Sequence, residues 1–234
     1  MTIERLRRKM QQLQNPEKSR ALQRFFKTGP GQYGEGDIFW GIPVPELRKL
    51  VSSFQDIPEN AVVQLLESAI HEQRLLALLI MVRKFQKGDK KEQKRLYELY
   101  MKYIQFVNSW DLVDTSAGPI VGAYLMGKSK APLYRLARSK NLWERRVSII
   151  ATFYFIRQGV FSVTLNISKM LLADQEDLIH KAVGWMLREV GKRDLITAEA
   201  FLKAHYHRMP RTMLRYAIER FPQPKRQQYL KGEI

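Results

Sequence analysis

Trp110 and Asp114 sit one helical turn apart in the stretch NSWDLVDTSAGPIVGAYLM, Asn108 to Met126. On a helix the two side chains share a face. A fixed carboxylate can stabilise positive charge that develops on a reacting group. An indole face attracts a cation by about 0.5–2 kcal/mol, depending on desolvation. The pair therefore suits chemistry on a cationic centre. A plainer use also exists: an acid in a first turn complements the helix dipole, and Asn108 or Ser109 can serve as N-cap. For Asp111 that capping role is the expected one. A second indole, Trp185, has a cation one turn on, Arg188, in KAVGWMLRE (Lys181–Glu189), and Arg146 closes LWERR (Leu142–Arg146). Core packing is the competing role for the tryptophans, and an ion pair in the helical framework is the competing role for Arg146.

Elements that position these residues follow from the hydrophobic pattern. A period of 3.6 dominates, with no convincing run of alternating strand. EQRLLALLIMVRKF, ERRVSIIATFYFIRQG and HKAVGWMLREVGKRD each open on a basic residue, continue apolar and close basic. Their opening positions, Arg74, Arg146 and Lys181, recur at multiples of roughly 36 residues, and Trp110 falls where the missing member should begin. RTMLRYAIERF, from Arg211, reads as a last member. Other helical blocks, AVVQLLESAI, KEQKRLYELYMKYIQFV and APLYRLARSK, lie between them. A helix pair every ~35–40 residues predicts an all-α chain, an α-solenoid occupying 1–234 as a single helical-repeat domain. A plain helical bundle is the alternative. In the solenoid the second helices line a concave basic surface, which would gather Trp110, Asp114, Arg146, Trp185 and Arg188. The Gly- and Pro-rich segment Lys27–Leu50 reads as an ordered loop that ends in a helix near Pro45, within an N-terminal portion of about 1–50. Repeat pairs are expected over about 51–230.

The totals narrow the partner. The chain of 234 residues carries 40 Lys and Arg against 23 Asp and Glu, a formal charge of +17, with 45% hydrophobic residues for a core. A surface this basic points first to nucleic acid, then to an anionic membrane, or else to no specific partner. With no cysteine there is no disulfide, thiolate nucleophile, iron–sulfur cluster or thiolate zinc site. No window approaches the ~18 apolar residues needed to cross a bilayer, and the first residues lack a signal-peptide core. The expected compartment is the cytoplasm, with association to the nucleoid when DNA is bound.

SWDLVD (Ser109–Asp114), LWERR and KAVGWMLRE, with GEGDIFWGIPVPELR (Gly34–Arg48), resemble the AlkD-type DNA alkylation repair glycosylases, a family of HEAT-like helical repeats. The resemblance runs over roughly residues 20 to 220. It implies a monofunctional glycosylase of base excision repair that releases 3-methyladenine and 7-methylguanine from duplex DNA. By this resemblance Asp114 is the catalytic carboxylate, and Trp110 and Trp185 flank the lesion's sugar. Arg146, Arg188, Phe25 and Arg48 are placed along the DNA backbone. Phe25 stands where the best-known members have tyrosine, and the following loop is longer and richer in glycine. The resemblance also implies a lesion trapped without a base pocket. No cofactor or metal, no membrane and no obligate protein partner are expected, and the chain is expected to act as a monomer.

Other patterns carry less. His205 and His207 lack a suitably spaced third ligand. GPGQYGEG lacks the preceding strand and the Lys-Ser/Thr of a phosphate loop. KGDKKEQKR, Lys87–Arg95, reads as a solvated basic turn, and Trp40 and Trp143 read as structural. Two further functions compete with the glycosylase: a non-catalytic binder of branched or damaged DNA, and a helical-repeat scaffold for a protein partner. Asp114 between two tryptophans argues against the first, and the charge argues against the second.

Overall fold

The computed structural model describes residues 2–234. No strand occurs among the described residues; the nearest approach is an isolated bridge between Ile38 and Ile70. The helices are α1 (Ile3–Gln12), α2 (Pro16–Phe25), α3 (Val44–Phe54), α4 (Glu59–Leu66), α5 (His71–Lys87), α6 (Lys90–Lys102) and α7 (Trp110–Ser116). They continue as α8 (Ala123–Leu125), α9 (Ala131–Leu136), α10 (Leu142–Ile150), α11 (Thr152–Arg157) and α12 (Ser162–Met170). The last are α13 (Asp177–Gly191), α14 (Leu195–His205), α15 (Arg211–Ala217) and α16 (Gln223–Lys231). This is the all-α helical-repeat fold that the periodicity predicts. The repeat-like segments fall on the second helices of successive pairs: α5 after α4, α7 after α6, α10 after α9, α13 after α12, α15 after α14. The segment opening at Arg146 is interrupted at Ala151 and divides into α10 and α11.

The helices group into two compact units, one ending at Ser116 and one running Ala117–Ile234. In the first, α5 is central and packs against α3, α4, α6 and α7. It is buried on nearly every side, so it lacks the polar stripe of a surface helix, and even its first-turn residues His71, Glu72, Gln73 and Arg74 are buried. The core around it includes Leu47, Phe54, Leu65, Leu66, Leu76 and Leu78. In the second unit α13 is central, against α10, α14 and α15. Gly184 permits that packing: a Cβ there would stand 2.5 Å from the Met213 carbonyl oxygen and from Tyr216 Cβ.

Local chemistry sets the ends. Asn15 caps α2 through its side chain to the Lys18 N–H (2.9 Å), with Pro16 as the first helical residue. Asp89, Asn141 and Asp194 cap α6, α10 and α14 in the same way. After α7 the chain widens into a π-helix, Ala117–Gly122. Pro119 lies within it and lacks the N–H that a regular ladder would use. Among the described residues no helix is long and apolar enough to cross a membrane.

Candidate active site

Helix α7 begins at Trp110, and its buried side consists of Leu112, Val113 and Ser116. Trp110 and Asp114 are both half-buried, so the face they share is neither core nor open surface. The indole is held by aromatic neighbours. Phe26 stacks on it almost in parallel, with centroids 5.1 Å apart and 6° between planes, and Phe25 meets it edge-on at 6.0 Å. Phe25 is 63% exposed, a large apolar ring left at the surface beside Trp110. Phe26, by contrast, is buried. Behind Asp114 lies Tyr100, fully buried, its hydroxyl 3.1 Å from Ser116 Oγ. Burial raises the Tyr100 phenol well above the ordinary range, and the Asp114 charge pushes it the same way. The phenol therefore stays neutral beside the carboxylate.

Asp111 does something other than capping. Its Oδ2 lies 2.8 Å from His71 Nε2, while His71 Nδ1 lies 2.9 Å from Asp37 Oδ2. Arg74 donates to the other oxygen of Asp37 at 2.5 Å and to the Ser68 carbonyl at 2.8 Å. Burial alone would lower the His71 pKa, but the hydrogen bonds and charges of Asp111 and Asp37 outweigh it, and the net shift is upward. Phe39 stacks on the imidazole at 4.4 Å, and Phe26 contacts it at 5.1 Å. Next to His71, the buried Glu72 accepts the backbone N–H groups of Trp40, Gly41 and Ile42 at 2.7–3.2 Å. The Gly-rich segment is thereby strapped to the first turn of α5. Gly41 completes the strap. Its φ is +78°, and a Cβ would lie 2.2 Å from the Asn15 carbonyl oxygen. A mostly apolar cavity of about 300 Å³ lies among Leu22, Phe26, Phe39, Ile42, Leu75 and the His71–Asp111 pair.

In the second unit, Trp185 is half-buried on α13 and its Nε1–H donates to Glu189 Oε1 at 3.3 Å, one turn on. Phe153 sits 6.0 Å from its ring. Glu189 is buried and collects cations: Lys192 at 2.6 Å, Arg188 at 3.5 Å and Arg193 at 3.8 Å. Arg188, expected at a phosphate, is also paired with Glu219, and 18% of its side chain is exposed. Arg146, expected along the backbone, is only 5% exposed, and its Nη1 donates to the Leu178 carbonyl at 2.5 Å. Arg48 lies on the exposed side of α3. Trp143 is buried and Trp40 half-buried.

The family model for DNA alkylation repair enzymes matches residues 6–221. The chain belongs to that family. The fold agrees: a solved structure described as a predicted DNA alkylation repair enzyme from Enterococcus faecalis superposes with a TM-score of 0.68. It is 18% identical, with 90% of this chain and 97% of that one covered. No curated protein matches the chain.

Within this family member, sequence reasoning singled out Trp110 but missed what surrounds it. Asp37, His71 and Phe26 went unremarked, and Arg74 was noted only as the start of a repeat. One signal was present: HEQR places four polar residues directly before an apolar helical run that has no polar face to receive them.

Proposed function

We propose that the protein is a monofunctional DNA glycosylase that releases cationic N3- and N7-alkylated purines from duplex DNA. The observation that carries this reading is the placement of Asp114 one turn from a Trp110 fixed by Phe26. Membership in a DNA alkylation repair family supports damaged DNA as the substrate.

An alkylated purine of this kind already bears positive charge. When its bond to C1′ breaks, the electron pair leaves with the base and neutralises it, so no general acid is required. Positive charge passes to the sugar. The Asp114 carboxylate stabilises that oxocarbenium-like centre and orients the water that captures C1′; the proton lost by the water goes to the carboxylate or to solvent. Trp110 contributes an indole face to the cation. Lys and Arg side chains such as Arg48 and Arg188 supply phosphate contacts and salt-dependent affinity.

The test is duplex DNA carrying 7-methylguanine, with the liberated base measured. The parent protein releases it. Asp114→Asn loses 10²–10³ in rate, about 2.7–4 kcal/mol, while still binding the duplex. Binding without release by the parent would instead make the protein a non-catalytic DNA binder.

A further inference from the structure

Both ring nitrogens of His71 face carboxylate oxygens, Asp37 Oδ2 at 2.9 Å and Asp111 Oδ2 at 2.8 Å. An ionised carboxylate only accepts, so two such bonds require a donor at each nitrogen, which is the imidazolium form. With Arg74 on Asp37, the group comprises two cations and two anions, largely closed to water; the side chains of His71, Arg74 and Asp37 are 2%, 4% and 6% exposed. Charge balance inside the unit accounts for the arrangement. Its position matters more. Asp37 belongs to the Gly-rich segment, His71 and Arg74 to the start of α5, and Asp111 to the first turn of α7, next to Trp110. The other oxygen of Asp111 is buried and has no hydrogen-bond partner, so His71 is what fastens the carboxylate. Above the imidazole lies Phe26, and on Phe26 lies Trp110.

We propose that His71 is a positioning residue whose proton locks the first turn of α7, and with it the Trp110 indole, to the Gly-rich segment and α5. It touches no substrate and acts through Asp111 and Phe26. The role of Trp110 in excision rests on the glycosylase reading; the lock does not. The lock also makes the site sensitive to pH. The charged groups at the imidazole are Asp37 and Asp111 on its two nitrogens, with Arg74 beyond Asp37; Glu72 and Lys18 share the adjoining cavity, and Phe26 and Phe39 cover the ring faces. With the folded pKa raised, the contribution is fully present below the ordinary histidine value of about 6.5. It is lost as pH rises through the folded value. One nitrogen then presents a lone pair to a carboxylate, and that link fails.

The experiment is NMR of the intact protein, with 15N labelling of histidine side chains and of indole N–H groups. Two protonated ring nitrogens are expected for His71 at neutral pH. The Trp110 indole signal, assigned through Trp110→Phe, should shift along the same titration. In His71→Gln that pH response of Trp110 should disappear. A singly protonated His71 at neutral pH would overturn the proposal, as would a Trp110 signal that ignores the His71 titration. Neither measurement involves excision, so the wild-type result stands even if the variant does not fold or no lesion is released. Where excision is observed, His71→Gln should lower kcat about tenfold and leave the salt dependence of duplex binding unchanged.

Discussion

At the scale of single residues, the arginines occupy contrasting settings. Arg146 closes a motif that suggests a DNA contact, yet its guanidinium is buried and bound to a main-chain carbonyl. Removing it leaves the Leu178 carbonyl without that donor. Arg146→Ala should therefore lower unfolding stability by about 1–3 kcal/mol, the cost of a buried polar group left unsatisfied. Urea denaturation measures this directly. Arg48 is exposed and should behave in the opposite way. Arg48→Ala should leave the urea midpoint unchanged and reduce the slope of log affinity against log salt by about one unit, as for a single phosphate contact. A stability loss for Arg48 and a slope change for Arg146 would exchange the two roles. Glu189 presents a third case. It lies inside a motif valued for Trp185 and Arg188, but it is the buried acid that accepts the indole N–H and gathers three cations. Sequence spacing predicts its one-turn relation to Trp185. It does not reveal that the acid turns inward while its cationic partners stay nearer to solvent.

At the scale of elements, helices were legible and the links between them were not. A 3.6-residue period and a recurring interval suffice to find α5, α10, α13 and α15, because each must bury an apolar face against a neighbour. The polar network at the head of α5 has no such period. Asp37 and Asp111 lie in separate elements on either side of His71 in the chain, so no local spacing encodes the contacts. The fixing of the Gly-rich segment was equally invisible. Glycine density announces an irregular backbone, but only the fold shows that Glu72 gathers three successive N–H groups there. Gly41 is the tightest point of that strap. Gly41→Ala combines a left-handed φ with a Cβ placed against the Asn15 carbonyl, so it should destabilise by about 1–3 kcal/mol. Loosening should be local before it is global. Limited proteolysis should cut the variant first between Lys27 and Trp40 under conditions where the parent resists. Equal protease resistance in the two proteins would mean that the segment is held by its aromatic contacts rather than by the strap.

At the scale of the whole molecule, the proposed mechanism divides the work between a net charge of +17, for binding, and one carboxylate, for chemistry. Phosphate contacts release counterions and carry no sequence information, so undamaged duplex should bind too, with affinity falling by about 10³ between 50 and 200 mM salt if six phosphates are neutralised. Such binding cannot select a lesion. On the proposed glycosylase reading, selection arises at the bond that breaks. A cationic alkylpurine leaves as a neutral base without protonation, whereas uracil or 8-oxoguanine would leave as an anion unless an acid supplied a proton. Tyr100 feels the Asp114 charge, but burial keeps its proton in place and its hydroxyl is engaged with Ser116. It is a poor acid for that purpose. Single-turnover release under saturating protein removes binding differences and isolates the chemical step. Across duplexes that differ only in the lesion, 7-methylguanine and 3-methyladenine should be released and uracil and 8-oxoguanine retained. The contrast should persist when salt is lowered to tighten binding of every duplex alike. Efficient release of uracil under these conditions would sink the mechanism, because it would require a proton donor or a base-reading pocket that the mechanism does not use.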